Sequence, residues 1–390
     1  MSNVVVLGGG IGGVVAANRL RKLLPSEHRV VLIERSPETA YPPAFLRVLD
    51  GRRQPSRITR DLRRLSRLGI EVVAAEVTGL DTDVGSVQTS AGPVAYDQLV
   101  IALGAPLALE RVPGLTEAGH NLYSPEGNEQ LRDDLERFEG GTVVVAVCAL
   151  PYKCPAAPYE AAMLIDAVLR TRGVREQTEL LLFVPEPAPL PVAGPAVGAQ
   201  VEELLAERGI GYRPQMPLQS VDGESKQLNF VDGTRQTFDL LASVPPHMPP
   251  PALNGTAVAN AAGWIAVDRE TLETTVPNVF AIGDATAIML DNGMPLPKAG
   301  VFAHGEAEVV ARTISHRVTG RGEERRFNGH GACWVEVGNG RAAYAAGNFY
   351  AAEPGGVSLR APARRWLWTK SWFERWWLWR WYAPRFRLWS

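Results

Sequence analysis

Cysteine is scarce in this sequence, with three in 390 residues. So few cannot form a disulfide framework, and packed hydrophobic cores must therefore hold the fold together. Long hydrophobic runs are also missing; without about 18 consecutive apolar residues, the sequence predicts no membrane-spanning helix. The first residues contain neither a basic region nor a cleavage site, so we expect no signal peptide. The six histidines show no metal-ligand spacing, which predicts that no metal is bound.

Excess charge of one sign is confined to the C-terminal end. The whole chain has a formal net charge of −2. Residues 364–390 carry seven lysines and arginines against one acid, Glu374, and eight of the ten tryptophans, so the preceding residues carry −8. This distribution excludes a uniformly basic nucleic-acid binder and marks the last residues as a different kind of surface. The length and the hydrophobic content of 46% predict two or three globular domains.

A glycine-rich loop follows the first predicted strand, Val4–Leu7, and opens a helix. Gly8, Gly10 and Gly13 fit the dinucleotide-binding fingerprint, in which the first glycine allows the tight turn, the second admits a pyrophosphate and the third allows close helix packing. Glu34 ends the next strand, where a carboxylate can bind a ribose. The alternative is a merely tight turn, but the strand, helix and acid together favour a nucleotide site.

A second unit of strand, loop and helix follows much later in the chain. The strand is predicted at Thr142–Val147 and the helix at Tyr159–Arg172. Where the first unit has glycines, the loop between them contains Cys148, Cys154 and three prolines but no glycine. Since a pyrophosphate needs close backbone approach, this loop argues against a second dinucleotide and against NADH as electron donor.

Two further segments separate FAD from NAD as the first nucleotide. Residues 96–104 form a short strand that ends in a small-residue turn, and residues 275–284 form a strand that ends in Gly283-Asp284. In this order they resemble the two-dinucleotide-binding-domain flavoproteins, which include type II NADH dehydrogenases and sulfide:quinone oxidoreductases. The resemblance covers roughly residues 1–350 and implies FAD. Two ordinary strands are the alternative.

The resemblance implies an α/β fold with two tandem Rossmann-like domains, the second inserted in the first, and a C-terminal region that ends in an amphipathic membrane-binding helix. The expected divisions are 1–110 with 252–325 for the FAD domain, 111–251 for the second domain, 326–363 for the C-terminal region, and 364–390 for a membrane-interface tail.

Two cysteine segments carry a narrower resemblance. Residues 154–160 resemble the Cys-Pro-x-x-Pro-Tyr-Glu segment of flavocytochrome c sulfide dehydrogenases, and sulfide:quinone oxidoreductases have a related segment there. Residues 331–336 resemble the segment that holds the second redox cysteine in both families. The resemblance implies that Cys154 and Cys333 form the redox pair and that Glu160 is the acid/base. Hydrosulfide attack on such a pair leaves a persulfide on one cysteine and a thiolate on the other.

The positions of the cysteines in the sequence also predict the role of Cys148 and the way in which the flavin is bound. Cys148 lies in an apolar strand, which favours a core role, although some sulfide:quinone oxidoreductases use a third cysteine. No cysteine lies between Glu34 and Arg57, where sulfide dehydrogenases carry a covalent flavin link, so we expect non-covalent FAD.

Lys298 is one of only five lysines and precedes a predicted helix. It resembles the family lysine near the flavin N1/C2 carbonyl, where a positive charge stabilises reduced flavin. A surface lysine is the alternative. The residues predicted to bind FAD are Gly8, Gly10, Ile11, Gly12, Gly13, Glu34, Val77, Ala102, Gly104, Gly283, Asp284 and Lys298.

The tryptophans of the tail suggest a membrane-facing helix. Arginines and tryptophans suit the headgroup layer, and a water-exposed helix would not normally carry so much aromatic surface. A helix docked on the protein's own body or on a second copy is the alternative. At helical spacing, one row contains Trp368, Trp372, Trp376 and Trp379, with Trp366, Phe373 and Trp377 beside it.

These features predict a sulfide:quinone oxidoreductase at the membrane surface, as a peripheral, monotopic protein. Sulfide would be the donor, membrane quinone the acceptor, and zero-valent sulfur or polysulfide the product. Two alternatives stay open: a sulfide dehydrogenase flavoprotein subunit that passes electrons to cytochrome c, and a type II NAD(P)H:quinone reductase-like enzyme. The sequence does not decide the side of the membrane, the quinone type or whether the chain forms a homo-oligomer.

Overall fold

The computed structural model describes residues 1–351 and 356–383. Its first sheet has five parallel strands, with the N-terminal strand in the middle. That strand is apolar and buried, as expected for a strand covered on both faces. In spatial order the strands are Val279–Ala281, Gln98–Ile101, Asn3–Leu7, Arg29–Glu34 and Glu71–Ala74.

Helix Ile11–Leu23 follows the central strand after three residues and packs against helix Gly300–Thr319. This confirms the predicted order of strand, glycine loop and helix. Small residues make the close approach of helix and strand feasible, because a Cβ on Gly13 would lie 1.8 Å from the Gly8 carbonyl oxygen. The segment 275–284 joins the same sheet although it is far from the first strands in sequence.

A second five-stranded parallel sheet is built around strand Gly141–Val147. Helix Ala157–Arg172 follows it, as predicted, two residues earlier than expected. The connection between them has nine residues, 148–156, against three in the first unit. The strands in order are His120–Asn121, Leu240–Val244, Gly141–Val147, Thr178–Phe183 and Gly211–Arg213.

Smaller elements complete the described chain. Three antiparallel sheets have three strands each: Val77–Asp81, Ser86–Thr89 and Val94–Ala95; Leu218–Asp222, Gln227–Phe230 and Arg235–Thr237; His330–Glu336, Ala342–Asn348 and Val357–Ala363. Two-stranded pairs are Glu38–Ala40 with Thr59–Asp61, and Ile265–Ala266 with Thr286–Ala287. The other α-helices are Leu46–Leu49, Pro55–Ile58, Leu115–Ala118, Pro125–Arg137, Pro195–Ala206 and Arg364–Arg380. The 3-10 turns are Pro42–Ala44, Leu62–Leu68, Leu109–Arg111, Arg175–Gln177, Pro191–Ala193, Pro251–Leu253 and Gly283–Ala285.

The last helix, Arg364–Arg380, docks one side on the body of the protein. Trp377 is buried in the core around the first sheet, where its ring lies 4.7 Å from that of Tyr41. The opposite side exposes Trp368, Trp372 and Trp379 by 82%, 66% and 64%. The expectation of a helix docked on the protein's own body therefore holds for the buried face, and the membrane-facing role of the exposed face stays a prediction.

The structure corrects the prediction for one tryptophan beside the aromatic row and for one cation of the tail. Trp377 belongs to the docked face, because the helix rotates Lys370, Glu374 and Trp377 towards the body. Lys370, which counted toward the positive surface, is likewise buried in ion pairs. Trp389 and the last two arginines lie outside the described residues. No helix in the described ranges combines the length and the apolar character needed to cross a membrane.

Candidate active site

A cleft of about 840 Å³ opens beyond the glycine-rich loop. Its walls come from the ends of the first-sheet strands, from the loop before helix Ala157–Arg172, and from the start of helix Gly300–Thr319. Every residue predicted to bind FAD lines it except Gly13, which packs against Gly8 instead. Cys154 and Glu160 line the same cleft.

The glycine loop is shaped to receive a bulky group. Gly8 has a φ of +99°, and a Cβ there would lie 2.3 Å from the Ala102 carbonyl oxygen. At Gly10, by contrast, a Cβ would meet no atom of the described residues within 4 Å, so the backbone faces open space in the cleft. Glu34 accepts a hydrogen bond from the Gly9 amide at 2.7 Å, which fixes the carboxylate at the edge of the loop.

The opposite end of the cleft is polar and enclosed. Asp284 has an enclosed Oδ1 with no hydrogen-bond partner among the described residues, and burial raises its pKa against the effect of Lys153 and Lys298. The Lys298 ammonium donates to the carbonyl oxygens of Asp284 and Thr286 at 2.7 and 2.9 Å. Burial lowers the pKa of Lys298 to about 8. An unsatisfied acceptor beside a cation suits a hydroxylated, anionic cofactor.

Cys154 sits at the entrance to its helix with a φ of +52°, and its amide donates to the Lys298 carbonyl oxygen at 2.6 Å. Cys333 lies on strand His330–Glu336 and does not appear in the wall of the cleft. Burial raises the pKa of the Cys154 thiol, and a negative charge on Cys333 raises it further. Burial also raises the pKa of Cys333 to about 11.

Cys148 is a buried free thiol whose Sγ lies 3.7 Å from the Ala146 carbonyl oxygen. Its pKa is raised by burial alone, to about 12, and neither other cysteine contributes to that shift. Its placement fits the core role predicted from the apolar strand.

Glu160 lies in the first turn of helix Ala157–Arg172 and is buried. Its Oε1 accepts a hydrogen bond from the ammonium of Lys370 at 2.6 Å. Lys370 also lies 3.0 Å from Glu336, which is three residues beyond Cys333 on the same strand. Burial raises the pKa of Glu160, with Lys370 opposing and Glu336 adding to the rise.

An ion-pair network extends from Glu336. The Arg47 guanidinium joins Glu336 at 2.6 Å and Glu374 at 2.7 Å, and all three side chains are buried. Arg52 pairs with Glu336, and Arg53 with Glu374. These contacts tie the C-terminal helix to the strand of Cys333 and to Glu160.

Sequence reasoning missed Lys370 and Arg47, and it did not place Glu306 beside Gly283. Glu306 is buried and accepts a hydrogen bond from the Gly283 amide at 2.6 Å, and burial raises its pKa to about 7. One signal was available for Lys370: it precedes Glu374, the single acid of the basic tail, by four residues, which is one helical turn. Nothing in the sequence connects these residues to Glu160, which is 210 positions from Lys370.

The chain belongs to the pyridine nucleotide-disulphide oxidoreductase family, whose model matches residues 2–307. The mitochondrial sulfide:quinone oxidoreductase of Mus musculus is 27% identical over 370 residues, which cover 90% of this chain and 79% of the relative. The sulfide-quinone reductase of Aquifex aeolicus is 29% identical over 329 residues, which cover 80% and 76%.

The fold agrees with these relatives. The X-ray structure of the sulfide:quinone oxidoreductase from Aquifex aeolicus matches with a TM-score of 0.88 at 24% identity, over 99% of this chain and 92% of that chain. The resemblance to this family predicted from the FAD and cysteine segments is thereby confirmed.

The residues present fit FAD. The open space above Gly10 can admit a pyrophosphate, and Glu34 lies at the edge of the loop, where it can accept hydrogen bonds from a ribose. The Asp284 Oδ1, which has no partner among the described residues, can accept a hydrogen bond from a ribityl hydroxyl. Lys298 adds a positive charge next to Asp284.

Proposed function

We propose that this protein is an FAD-dependent sulfide:quinone oxidoreductase that oxidises sulfide through Cys154 and Cys333. The observation that carries the proposal is the meeting of Cys154, Glu160 and the nucleotide loop at one cleft, with the strand of Cys333 joined to Glu160 by ion pairs of Lys370. The glycine loop, Asp284 and Lys298 would hold FAD, which would supply a two-electron carrier between sulfide and quinone.

The chain's own residues supply sulfur and proton transfer. Hydrosulfide attacks a Cys154–Cys333 disulfide, forming one S–S bond and breaking another, so that one cysteine becomes a persulfide and the other a thiolate. Glu160 takes the proton that hydrogen sulfide loses on forming hydrosulfide. Because burial raises the pKa of Glu160, this carboxylate is a stronger base than an exposed one. Lys298 holds a positive charge beside the cofactor site, where it stabilises negative charge.

Anaerobic titration of the purified protein's bound flavin tests the donor. Sulfide should bleach the flavin absorbance, and an equal concentration of NADH should leave it unchanged. Bleaching by NADH alone would overturn the proposal and would assign the nine-residue connection 148–156 to a second nucleotide site.

Replacing Gly10 by alanine should reduce bound FAD by about tenfold or more without changing the stability of the cofactor-free protein. The reason is that a methyl at Gly10 meets no atom of the described chain within 4 Å and projects into the space assigned to the pyrophosphate. The flavin-to-protein ratio and denaturant unfolding of the cofactor-free protein check this. Unchanged FAD content would place the pyrophosphate elsewhere.

The same family comparison underlies the domain division that we propose. Residues 1–110 with 252–325 form the FAD domain, residues 111–251 form an inserted Rossmann-like domain, residues 326–363 form the C-terminal region, and 364–390 form the membrane-interface tail. The two parallel sheets support the two tandem domains, because the strand Val279–Ala281 returns to the first sheet after the second sheet is complete.

Membrane association is proposed for the exposed face of helix Arg364–Arg380. Trp368, Trp372 and Trp379 lie on this face. The opposite face of the helix is packed in the core, so these rings point to the outside of the protein. Tryptophan favours the headgroup layer of a membrane, which such an outward face can enter. The protein would then lie on the membrane as a peripheral enzyme and take quinone from the bilayer.

An aromatic cluster between the sheet of Cys333 and this helix supports quinone access. The Trp334 ring lies 5.6 Å from that of Tyr344 and 5.4 Å from that of Phe373, and Trp366 stacks on Tyr344 at 4.8 Å. Trp334 directly follows Cys333, so the cluster joins the redox strand to the helix.

Replacing Trp368, Trp372 and Trp379 by serine should weaken vesicle binding by at least about a hundredfold, since a tryptophan buries on the order of 200 Å² of largely apolar surface. Vesicle sedimentation measures the change. The matched control replaces Val84, Val231 and Met289, three exposed hydrophobic residues elsewhere, by serine and should bind as the parent protein does. Equal losses in both variants would contradict the proposed membrane face.

A further inference from the structure

A strongly basic groove lies beside the C-terminal helix, outside the active-site cleft. Residues 52–67 contain seven arginines and one acid, Asp61. The groove has a volume of about 820 Å³ and is bounded by this segment and by the last turns of the helix. The arginines in its wall are Arg52, Arg53, Arg57, Arg60, Arg64 and Arg375.

The arginines of this groove fall into two groups. Arg52 and Arg53 are committed to the buried carboxylates Glu336 and Glu374. Across the described ranges 1–351 and 356–383, Arg57, Arg60, Arg64 and Arg375 pair with no carboxylate. Three of these four side chains are exposed, and Arg60 is half-buried. The groove therefore keeps several uncompensated positive charges around one space.

The wall also has an apolar and aromatic part, formed by Leu378, Trp379 and Tyr382, and Trp379 is one of the three tryptophans proposed to enter the membrane interface. Glu374 lines the groove as well, but its carboxylate is paired with Arg53. A ligand that fits must therefore be anionic at one end and apolar at the other. Guanidinium groups bind phosphate through paired hydrogen bonds. Because Trp379 would lie in the headgroup layer of the membrane, the groove beside it would lie at the depth of the lipid phosphates.

We infer that this groove binds the headgroup phosphate of an anionic phospholipid, with the acyl chains leaving along Trp379. The inference rests on the membrane association proposed above. It adds a lipid selectivity that the tryptophan face alone does not provide, because tryptophan does not distinguish a neutral headgroup from an anionic one. The protein would accordingly prefer membrane regions rich in anionic lipid.

The test compares sedimentation with vesicles of phosphatidylcholine alone and of phosphatidylcholine mixed with phosphatidylglycerol. The groove variant carries Arg57→Gln, Arg64→Gln and Arg375→Gln, all at exposed positions. The control variant carries Arg235→Gln, Arg321→Gln and Arg325→Gln, which remove the same charge from exposed positions outside the groove. Circular dichroism and thermal unfolding verify that both variants fold.

We expect the parent protein to prefer phosphatidylglycerol vesicles, and the groove variant to bind them about a hundredfold more weakly, at about fivefold per arginine. The control variant should lose far less of its binding to these vesicles. Equal losses in the two variants would mean that net charge alone acts and would overturn the inference. So would parental binding by the groove variant.

Two further outcomes separate this inference from the proposal beneath it. If the parent protein binds neither kind of vesicle, the membrane association fails and the lipid site falls with it. If the parent protein binds both kinds equally, membrane association stands and the headgroup site is overturned. Calorimetry with inorganic phosphate is the last measurement. If the parent protein binds phosphate saturably, the groove variant does not, and neither kind of vesicle is preferred, the groove is a site for free phosphate and the lipid assignment is overturned.

Discussion

Replacing Cys154 or Cys333 by serine should lower the rate of sulfide-dependent quinone reduction by on the order of a thousandfold or more. The proposed reaction needs both sulfurs: one holds the sulfur taken from sulfide, and the other leaves as a thiolate. A serine hydroxyl can do neither. Because the two residues act as one unit, the double variant should be no slower than the slower single variant. Anaerobic steady-state assays with a soluble quinone analogue measure these rates.

Cys148→Ser is the matched control for the cysteine variants. Cys148 is a free thiol like the other two, but its sulfur faces the Ala146 carbonyl oxygen inside a buried cluster. We expect it to keep the parental rate with a modest loss of stability. The flavin content of every variant should match the parent protein, which separates lost chemistry from lost cofactor. A Cys154→Ser or Cys333→Ser protein with the parental rate would remove the central claim.

Replacing Lys370 by methionine should lower the free energy of unfolding by about 3–5 kcal/mol near neutral pH. The substitution keeps most of the length of the side chain and removes the cation that lies between Glu160 and Glu336. Two buried carboxylates would then face each other without it, although Arg47 would still pair with Glu336. Denaturant unfolding of the cofactor-free protein measures the loss.

The loss from Lys370→Met should shrink as the pH falls towards about 5. Burial and Glu336 raise the pKa of Glu160, and removing Lys370 takes away the contact that opposes this rise. An acid whose pKa is raised on folding stabilises the fold below its unfolded pKa, and this contribution is lost as the pH rises through the folded pKa. The variant therefore recovers stability in acid, where Glu160 is protonated.

Glu336 behaves in the opposite sense in the parent protein. Burial raises its pKa, but Lys370, Arg47 and Arg52 together lower it below its ordinary value. The contribution of Glu336 to the free energy of unfolding is therefore present above the pKa that this group has in the unfolded chain. It is lost only as the pH falls further, through the lower pKa that the group has in the folded protein. The parent protein should stay stable across the range in which the variant recovers.

Lys22→Met is the matched control for Lys370→Met, because Lys22 is exposed in the last turn of helix Ile11–Leu23. We expect a change within about 0.5 kcal/mol at either pH. A Lys370→Met loss of the same size as this control, or one that does not vary with pH, would contradict the network described for Glu160.

Much of the nucleotide site could be predicted from sequence because its signals are local. The turn at Gly8 and the open backbone at Gly10 are short-range requirements of one strand, loop and helix. The carboxylate of Glu34 follows from the end of the next parallel strand, which must lie beside the first. The cleft contains all of these residues, as the pattern indicated.

The orientation of the C-terminal helix could not be predicted in the same way. Aromatic residues span about half of its circumference, and either half could face the body, so periodicity alone does not say which face is buried. Contacts with distant segments decide which face of the helix is buried. The Trp377 ring packs against the Tyr41 ring, and the Glu374 carboxylate forms an ion pair with the Arg47 guanidinium. These contacts turn Lys370 inwards to Glu160 and leave Trp368, Trp372 and Trp379 outside.

The sequence by itself determined the nucleotide loop, the absence of a second one, and the two cysteine segments with their neighbouring acid. Only the tertiary structure decided which charges compensate one another. It buried Lys370 beside Glu160, and it left four of the six groove arginines without a carboxylate partner among the described residues. The physical reason is that a backbone turn depends on neighbours in the chain, whereas the free energy of a charge depends on burial and on partners that only folding brings near.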